Sequence, residues 1–574
     1  MKKHLLFIAS CIISGIIPSQ TLLQWEKVLN GSAENHGGSI KTNASGEVFV
    51  AGVFTGTVDF DPGAPVYTLA AVSAKDGYLL KTDAAGNFMW ATSIDAEITA
   101  LAIDPTGNVF VGGYYNGVKD FDPGVAQYTL SSTASLGFEA AYVLKLDPSG
   151  NFLWARQAEG PALARVQDMT TDPSGNIYYC GRFRGTIDFD PAPAPNNSLQ
   201  QSTGGITSDG FVAKLTSAGN FGWGYAFGST IIEDEALGMV SDAAGNIFTT
   251  GVFCGSVDFA PGPSVLTLTT SLDAAFVTKI NSSGNLVWAR KVNSSTLFAF
   301  GTDIALDQLA NVYYCGGFRG TTDFDPGAGT ATLTSNGGPL DLFISKLDSA
   351  GNYTWAKGIG STGSEQAGGL AVDATGNTWI TGLYATSFDF DPASAIANLP
   401  APAGSNDVYI SKFDSGGNYI WAGAVGGPQN DAVKGICVDA SGNCYVSGSF
   451  SVSCDLDPNS GIATEISAGH YDGFVLKLNA SANPTITTAI ADISQQASWS
   501  VYPNPARETV HIRVSKTPEH AAVEVYNSLG ILVGKQDFQG NEALINIADQ
   551  PKGLFFVRIT VNSKVIGSCS LIRE

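Results

Sequence analysis

Asp59-Phe60-Asp61-Pro62 is the first copy of a four-residue phrase that recurs along most of this chain. Further copies, one with alanine in the third position, follow at intervals of 61, 68, 70, 65, 66 and 66 residues: Asp120–Pro123, Asp188–Pro191, Asp258–Pro261, Asp323–Pro326, Asp389–Pro392 and Asp455–Pro458. Self-similarity at a nearly fixed period is typical of repeat proteins. The sequence therefore predicts seven structural repeats.

Each repeat combines apolar, β-rich runs with Gly-Asn turns. In the third repeat the predicted strands cover 167–172, 177–189, 211–215 and 221–227. Gly-Asn turns between such runs indicate hairpins, because Gly and Asn tolerate positive φ. Four antiparallel strands repeated seven times predict an all-β fold, a seven-bladed β-propeller. Because each blade buries its faces against its neighbours, the repeats are predicted to form one domain.

A tryptophan marks the fourth strand of six repeats, and we expect these residues to pack in the core: Trp90, Trp154, Trp223, Trp288, Trp355 and Trp421. The seventh repeat lacks this strand, but Gln24-Trp25-Glu26-Lys27-Val28 stands at the other end of the chain. We predict that this N-terminal strand completes the last blade. The ring would then have no exposed strand edge to invite aggregation.

The N-terminus predicts a secretory signal peptide over residues 1–20. A basic Met1–His4 precedes an apolar run over 5–17, and small residues follow. The run is shorter than the roughly 20 residues that span a bilayer, and we predict no transmembrane segment. An alternative leaves Cys11 as the lipidated residue of a lipoprotein signal.

The C-terminal segment, residues 499–574, differs from the repeats and predicts a small, Ig-like β-sandwich. Its alternating Val510, Ile512 and Val514 indicate half-buried strands. The ordered set Tyr502-Pro503-Asn504-Pro505, Val525-Tyr526-Asn527 with Gly530, and Gly553 with Phe555 and Val557 resembles the type A C-terminal sorting domain of the type IX secretion system. Such domains usually end in a Lys-rich strand, whereas this chain ends Leu571-Ile572-Arg573-Glu574.

That resemblance implies export across the outer membrane by the type IX machinery, removal of the domain, and release or anchoring at the cell surface. The repeat phrases, over about residues 22–482, resemble the bacterial SBBP-type β-propeller repeat of surface proteins. This second resemblance implies the fold and the location and carries no catalytic residues. The predicted organisation is a signal peptide at 1–20, a propeller at 21–484, a linker at 485–498 and the sorting domain at 499–574.

The composition excludes two classes of protein. Against 52 acidic residues stand 30 Lys and Arg, which gives a formal net charge of -22. A nucleic-acid binder needs a basic face. A disordered acidic chain needs low hydrophobicity, whereas 44% of these residues are hydrophobic.

The acidic phrases open the long connections between second and third strands, on the face that also carries the inter-blade connections. Binding residues favour loops on a rigid scaffold, so we expect function on this face. Two interpretations of the phrase are open: turn formation with pairing inside the blade, and Ca²⁺ binding in some blades. A repeated lysine is one candidate partner for these acids: Lys81, Lys145, Lys214, Lys279, Lys346, Lys412 and Lys477.

The sequence singles out no catalytic, cofactor-binding or metal-ligating set of residues. Glu34, His36, Tyr471 and Asp472 would meet if the ring closes, and solvent-exposed loop residues are the alternative. Glu233-Asp234-Glu235 is interpreted as a solvated acidic loop. Arg182-Phe183-Arg184 and Phe318-Arg319 are too sparse for nucleic acid or phosphate.

The positions of the cysteines indicate a role in packing rather than in catalysis or metal binding. Cys180 and Cys315 occupy the same strand position in two repeats, which predicts a packing role. Cys437 and Cys444 flank one turn, with Cys454 nearby, so a disulfide there is one hypothesis, which export would permit. The spacings do not match a zinc site.

Two main functions remain open from the sequence, with a purely structural coat component as a third possibility. The first is an exported binding or adhesion scaffold that takes an extracellular glycan or protein through its loop-rich face. The second is a secreted propeller hydrolase or lyase acting on polysaccharide. An enzyme needs one asymmetric cluster of polar residues, whereas a scaffold can carry seven similar shallow sites.

Overall fold

A computed structural model describes residues 22–63, 65–134, 138–190, 199–203, 207–260, 264–392, 397–402, 406–459, 461–480, 499–502, 506–514, 521–527, 532–540, 542–561 and 564–573. The predicted signal peptide with Cys11, the predicted linker and Pro503-Asn504-Pro505 lie outside these residues. Contacts divide the chain into two units, Met1–Asn483 and Pro484–Glu574. Each is described by itself.

The described residues form strands and no helix, which confirms the all-β prediction. Through the third repeat these are β1 (Leu23–Gly31), β2 (Asn35–Thr42), β3 (Val48–Phe54), β4 (Thr57–Asp59), β5 (Thr68–Ala70), β6 (Asp76–Thr82), β7 (Phe88–Ile94), β8 (Glu97–Ile103), β9 (Val109–Tyr115), β10 (Val118–Asp120), β11 (Thr129–Ser131), β12 (Ala140–Leu146), β13 (Phe152–Ala158), β14 (Ala164–Thr171), β15 (Ile177–Phe183), β16 (Thr186–Asp188), β17 (Leu199–Gln201), β18 (Asp209–Leu215) and β19 (Phe221–Phe227).

The remaining repeats continue the pattern with β20 (Glu235–Ser241), β21 (Ile247–Asp258), β22 (Thr267–Ile280), β23 (Leu286–Lys291), β24 (Asn293–Ser294), β25 (Phe298–Leu306), β26 (Val312–Arg319), β27 (Thr321–Asp323), β28 (Thr332–Thr334), β29 (Asp341–Leu347), β30 (Tyr353–Ile359), β31 (Glu365–Val372), β32 (Thr378–Tyr384), β33 (Phe388–Asp389), β34 (Asn398–Leu399), β35 (Asp407–Phe413), β36 (Tyr419–Val425), β37 (Ala432–Val438), β38 (Cys444–Phe450), β39 (Ser453–Asp455), β40 (Thr464–Ile466) and β41 (Asp472–Leu478).

Antiparallel sheets of four strands correspond to the repeats. Their orders are β2-β3-β6-β7, β8-β9-β12-β13, β14-β15-β18-β19, β20-β21-β22-β23, β25-β26-β29-β30 and β31-β32-β35-β36. The seventh sheet takes β37, β38 and β41 from its own repeat and β1 from the N-terminus, with Trp25 opposite Lys477. β1 then continues onto β4 of the first repeat, where Asn30 lies opposite Asp59.

The first strands of the sheets contact one another in chain order. β2 contacts β8, β8 contacts β14, and the series continues through β20, β25, β31 and β37; β37 in turn contacts β2. Apolar side chains fill the space between consecutive sheets. One such cluster joins Phe49 and Leu79 of the first sheet to Leu101, Val111 and Tyr142 of the second.

The Gly-Asn turns form because a polar side chain caps each of them: an aspartate in most turns, Asn281 in one and Thr216 in another. In the turn between β14 and β15, Asp172 Oδ1 accepts the N–H groups of Ser174 and Asn176 at 2.9 and 3.0 Å. Asn176 Nδ2 donates to Asp172 Oδ2 at 2.8 Å. Gly175 has φ +75°, a conformation that glycine adopts without strain.

One predicted strand is divided in the structure. The expected strand over 177–189 breaks into β15 and β16, because Gly185 adopts φ +74° between them. β16 then forms a separate hairpin with β17. The prediction of one long second strand was therefore wrong for this repeat. In the fourth repeat, by contrast, β21 runs unbroken over Ile247–Asp258.

The C-terminal unit contains β42 (Trp499–Tyr502), β43 (Thr509–Val514), β44 (Ala521–Asn527), β45 (Leu532–Phe538), β46 (Glu542–Asn546), β47 (Gly553–Val561) and β48 (Lys564–Arg573). They form a three-stranded sheet, β42-β43-β46, and a four-stranded sheet, β45-β44-β47-β48. Val510 and Ile512 of one sheet share an apolar core with Val523 and Val557 of the other. This unit therefore has a hydrophobic core of its own.

Candidate functional site

The acidic phrase folds as a capped hairpin. Asp59 Oδ1 accepts the N–H groups of Asp61 and Tyr67 at 3.1 and 2.9 Å, which closes the loop between β4 and β5. Asp61 Oδ1 accepts the N–H of Gly63 at 2.8 Å. Phe60 is fully buried, with its ring centroid 4.7 Å from that of Tyr78. The phrase thus combines two turn-capping carboxylates with an apolar anchor.

The geometry agrees with the turn-forming interpretation of these acids. Among the described residues, no group of three or more His, Cys, Asp or Glu side chains is arranged to hold a metal ion. Ca²⁺ usually takes six to eight oxygen ligands, whereas the Oδ1 atoms of Asp59 and Asp61 already accept backbone hydrogen bonds. Ca²⁺ binding stays a hypothesis that chelation tests.

The repeated lysine does not pair with the acidic phrase. Lys145 Nζ lies 3.3 Å from Asp104 Oδ2, in the first turn of its own repeat, and donates to the Ser217 carbonyl at 3.1 Å. The prediction was wrong because this lysine is the penultimate residue of β12, at the Gly-Asn-turn end of the sheet. The seven amines lie 4.5 to 5.1 Å from an aromatic ring, on Phe49, Phe110, Tyr178, Phe248, Tyr313, Trp379 and Tyr445.

The tryptophans lie at the seams between repeats. Trp154 Nε1 donates to the same Ser217 carbonyl at 3.3 Å, and its ring packs against Gly219 of the next repeat. Trp25 of β1 makes the equivalent bond to the Ala84 carbonyl at 3.4 Å, and Lys477 donates to that carbonyl at 3.0 Å. The seventh sheet therefore joins the first by the contacts that join the second to the third.

Residues of the seven first strands line a cavity of about 270 Å³, which we call the first-strand cavity. Its charged and polar lining comes from Ser39, Lys41, Thr99, Gln167, Asp168, Thr302, Asp303 and Lys434. Each first strand carries a β-bulge against its second strand at this level. Bulges redirect side chains, and here the bulged positions line the cavity.

Asp168 and Asp303 each join two neighbouring first strands. Asp168 Oδ1 accepts the N–H of Met169 at 2.8 Å, and its Oδ2 accepts the N–H of Met239 on β20 at 2.7 Å. Asp303 bridges Ile304 and Leu370 in the same way. Burial raises the pKa of Asp168 to about 6, while the charge of Lys41 opposes that shift. These carboxylates therefore have a clear structural role.

Six side chains at one shared position near the start of their first strands form what we call the rim: His36, Glu97, Arg165, Glu235, Phe300 and Gln366. Because the start of each first strand pairs with the end of the second, as Asn35 does with Phe54, the rim lies on the side of the long connections.

The charged rim residues pair with the loops beside them. Glu97 Oε2 lies 2.9 Å from both Lys75 Nζ and the Tyr114 hydroxyl. Arg165 contacts Glu139 at 2.7 Å, with its guanidinium 4.3 Å from the Tyr114 ring centroid. A second cavity, of about 340 Å³, opens here and is lined in part by Lys75, Glu97 and Tyr114.

The other side of the rim has a different chemistry. Glu235 Oε1 lies 3.4 Å from Arg182 Nε and accepts a hydrogen bond from Gln167 Nε2 at 2.5 Å. Phe300 stacks with Phe298, at 6.3 Å between ring centroids and 21° between planes. The seven repeats therefore present one asymmetric polar surface at the rim rather than seven copies of one site.

The structure brings together three of the four residues predicted to meet at ring closure. His36 Nδ1 lies 2.9 Å from Ser449 Oγ, its Nε2 lies 4.0 Å from Glu34, and its ring centroid lies 5.0 Å from that of Tyr471. Asp472 is buried instead, accepting the Gly31 N–H at 3.2 Å. Burial lowers the pKa of His36, so the neutral imidazole is favoured.

Glu233-Asp234-Glu235 is not a uniform solvated loop. Glu233 is exposed and pairs with Arg182 and Arg184, both at 3.0 Å. Asp234 is fully buried and accepts the Cys254 N–H at 2.9 Å. The interpretation held only for Glu233, because the chain turns inwards at Asp234 to start β20. The two arginines share the single carboxylate of Glu233. Phe318 is buried beside an exposed Arg319.

Six cysteines of the repeats are free thiols. Cys180, Cys254, Cys315, Cys437, Cys444 and Cys454 are all buried and unpaired. Cys180 and Cys315 pack in apolar clusters as predicted. The disulfide hypothesis was wrong: Cys437 lies opposite Tyr445, and Val438 lies opposite Cys444. This offset of one residue sends the two thiols into different apolar clusters.

Sequence reasoning singled out His36 and Glu235 but missed the rest of the rim and the first-strand cavity. Arg165, Gln167 and Lys434 belong to first strands whose neighbouring repeats carry other residue types at the same positions. Repeats are recognised in a sequence by the residues that their copies share. The first-strand cavity, however, is lined at positions where the copies carry different residues. An alignment of the first strands alone would have displayed these substitutions.

The C-terminal unit matches a known family. The model of the secretion system C-terminal sorting domain matches residues 500–572. The chain is therefore secreted by the type IX system to the cell surface or the extracellular space, and its tail interacts with the secretion machinery. Among the residues that the structure describes, no helix is long and apolar enough to cross a membrane.

Curated relatives cover the repeats only partly. An uncharacterized WD repeat-containing protein of Acanthamoeba polyphaga mimivirus is 23% identical over 550 residues, covering 80% of this chain and 38% of the relative. Regulatory protein FlaEY of Caulobacter vibrioides is 25% identical over 175 residues, covering 28% of this chain and 18% of the relative. The chain thus spans less than two thirds of the length of either relative.

Two solved structures align over most of the chain. PorZ, an essential bacterial surface component of the type IX secretion system of Porphyromonas gingivalis, aligns with 10% identity and a TM-score of 0.27, over 95% of this chain and 75% of PorZ. A fungal alcohol oxidase of the AA5 family aligns with 10% identity and a TM-score of 0.29, over 96% of this chain and 100% of the oxidase.

Proposed function

We propose that the repeats form a closed seven-bladed β-propeller. The contact between β37 and β2 supports this arrangement, as does the completion of the seventh sheet by β1. The WD-repeat relative agrees with it, since WD repeats build propellers. On this proposal the first-strand cavity is the axial channel and the rim is its mouth. The same proposal assigns the repeats to the SBBP type and residues 1–20 to a signal peptide. It gives the propeller the limits 21–484 and assigns residues 499–574 to an Ig-like sandwich.

The exported propeller is proposed to act as a binding or adhesion scaffold whose rim takes an extracellular ligand. The observation that carries this function is the asymmetry of the rim. Arg165 and Glu97 lie on one side with their loop partners, and the stacked Phe298 and Phe300 lie elsewhere on it. Core packing does not require such variety, because the repeats bury their sheets with recurring apolar residues.

A binding screen of the full-length chain against glycan and protein arrays tests this function. Binding that is weakened by Phe300→Ala and by Arg165→Gln is the expected result. A matched control is Lys357→Gln on the outer strand β30. A screen in which no ligand depends on the rim variants would contradict the proposal. Cleavage of polysaccharide in a parallel assay would assign the rim to the alternative hydrolase or lyase instead.

A further inference from the structure

Lys434 is an unusual residue for its place in the fold. It lies at the bulge of β37 and lines the first-strand cavity, with its side chain exposed to the cavity. The corresponding residues of the other first strands are uncharged: Gly38, Thr99, Gln167, Leu237, Thr302 and Gly368. Within the described residues, no carboxylate lies within 4.0 Å of the Lys434 amine. The chain nevertheless carries 52 acidic residues that could have supplied one.

Lys434 interacts electrostatically with charged and titratable side chains near the rim. Desolvation by the protein around the cavity, followed by the positive charge of Lys75, lowers the pKa of Lys434, and Lys434 in turn acts electrostatically on His36. Glu97 opposes these effects, but its carboxylate already contacts Lys75 at 2.9 Å. In the described part of the chain, the Lys434 amine is therefore a positive charge with no carboxylate beside it, in a protein whose formal net charge is -22. An anion there would supply the missing partner.

The rim residues restrict which kind of anion can bind beside Lys434. Carboxylates at Glu97 and Glu235 would repel a densely charged chain such as a nucleic acid or a polyglutamate, but they accept hydrogen bonds from hydroxyl groups. Gln366 presents an exposed amide, and Phe300 presents a stacked aromatic pair. Hydroxyls, a flat apolar face and an isolated carboxylate occur together in polysaccharides that contain uronic acids.

We infer that the rim binds an acidic polysaccharide through the carboxylate of a uronic acid residue, which the Lys434 amine receives at the entrance of the first-strand cavity. The positive charge of Lys75, which acts on Lys434, adds to the preference for an anion. This inference rests on the proposed binding function and names its ligand class.

Calorimetric titration of the full-length chain with a xylotriose that carries one glucuronate side group tests the inference. Binding should occur and weaken by at least about tenfold in Lys434→Gln, the loss typical of one charge-assisted hydrogen bond. Lys357→Gln, with the same change of charge on an outer strand, should bind as the parent does. The methyl ester of this oligosaccharide, which keeps the hydroxyls of the sugars and loses the negative charge, should bind at least about tenfold more weakly than the acid.

The outcomes separate this inference from the function on which it rests. Equal binding of the acid and its methyl ester, or an unchanged affinity in Lys434→Gln, would overturn the uronate inference alone. Tighter binding of a glutamate-rich peptide than of the sugar acid would overturn it in favour of a protein ligand. If no glycan or protein depends on Phe300, Arg165 or Lys434, the proposed function fails as well.

Discussion

Lys145 shows how a single repeated side chain joins three parts of the fold. Its amine pairs with the first turn of its own sheet, lies over the Phe110 ring and reaches the second turn of the next repeat. Both Lys145 and Asp104 are 5% exposed. Removing one partner of a buried ion pair leaves an uncompensated charge, which costs more than the pair itself contributes.

Lys145→Met is therefore expected to lower the free energy of unfolding by about 3 kcal/mol, measured by chemical denaturation. Lys279→Met is the matched control, because Lys279 occupies the same repeat position and lies over Phe248. Among the described residues it has no carboxylate within 4.0 Å, and it donates to the Ser349 carbonyl at 3.5 Å. A loss in the control as large as in Lys145→Met would show that the ion pair is not the cause.

Asp431 makes the stability depend on pH in the opposite sense to an ordinary salt-bridged carboxylate. Burial, followed by the charge of Asp407, raises the pKa of Asp431 to about 7. Unfolded aspartate titrates near pH 3.9, so the folded state binds the extra proton between these values. The contribution of Asp431 to the free energy of unfolding should thus fall as pH rises from about 4 to about 7.

Asp431→Asn should remove that slope and unfold at higher denaturant concentration than the parent at pH 8, since an amide can still accept the Gly427 N–H. Asp172→Asn provides the contrast. Burial acts to raise the pKa of Asp172, but hydrogen bonds from Asn176 and Tyr178 bring it below the ordinary value. That variant should lose stability at pH 8. Parallel pH profiles for the parent and Asp431→Asn would refute the assignment.

At the scale of elements, β1 is the strand that distinguishes a ring from an open row of sheets. It supplies the outer strand of the last sheet, and its Trp25 reaches the first repeat. Trp90 makes the corresponding bond to Pro148 at 3.3 Å from a strand inside the chain. If β1 is as firmly held as the internal outer strands, the two tryptophans contribute similarly to stability.

Trp25→Ala and Trp90→Ala should each lower the free energy of unfolding, by up to about 3 kcal/mol given that neither indole is fully buried. Equal losses in chemical denaturation would indicate that the N-terminal strand holds the seam as tightly as an internal one. A negligible loss for Trp25→Ala beside a large loss for Trp90→Ala would mean that β1 frays, and it would argue against a closed ring.

Elements were predictable where one pattern repeated, and side-chain partners were not. The period of the Asp-Phe-Asp-Pro phrase and the missing seventh tryptophan sufficed to assign the sheets and the pairing of β1. The partner of Lys145 was misassigned because strand direction, not proximity along the chain, decides which turn a side chain reaches. Most of the rim escaped prediction because its residues meet only where six separate first strands converge.

At the scale of the whole molecule, the acidity of the chain raises the question of bound cations. The acidic phrases are engaged as turn caps, with Asp59 and Asp120 making the same bonds in two repeats. We therefore expect the melting temperature of the full-length chain to be unchanged by excess EGTA. A fall of several degrees that Ca²⁺ reverses and Mg²⁺ does not would establish calcium sites and contradict the turn-capping account.

We expect the two units to fold independently, because each has a hydrophobic core of its own. Deletion of residues 499–574 should leave the thermal transition of the repeats in place. Export should be lost, since the sorting domain directs secretion. Val557→Asp places a charge in the core of the C-terminal unit, where the parent side chain is fully buried. It should block export without shortening the chain, because an unpaired buried charge is strongly unfavourable.

Immunoblots of cells and culture medium would measure the distribution, and the exposed Arg513→Gln is the control variant. Retention of both the deletion and Val557→Asp inside the cell, with normal export of the control, is the expected result. Surface exposure of the deletion variant would mean that the repeats carry an export signal of their own. The rim can meet an extracellular polysaccharide only after this step, so the folded tail is a precondition for binding even though it contributes no residue to the rim.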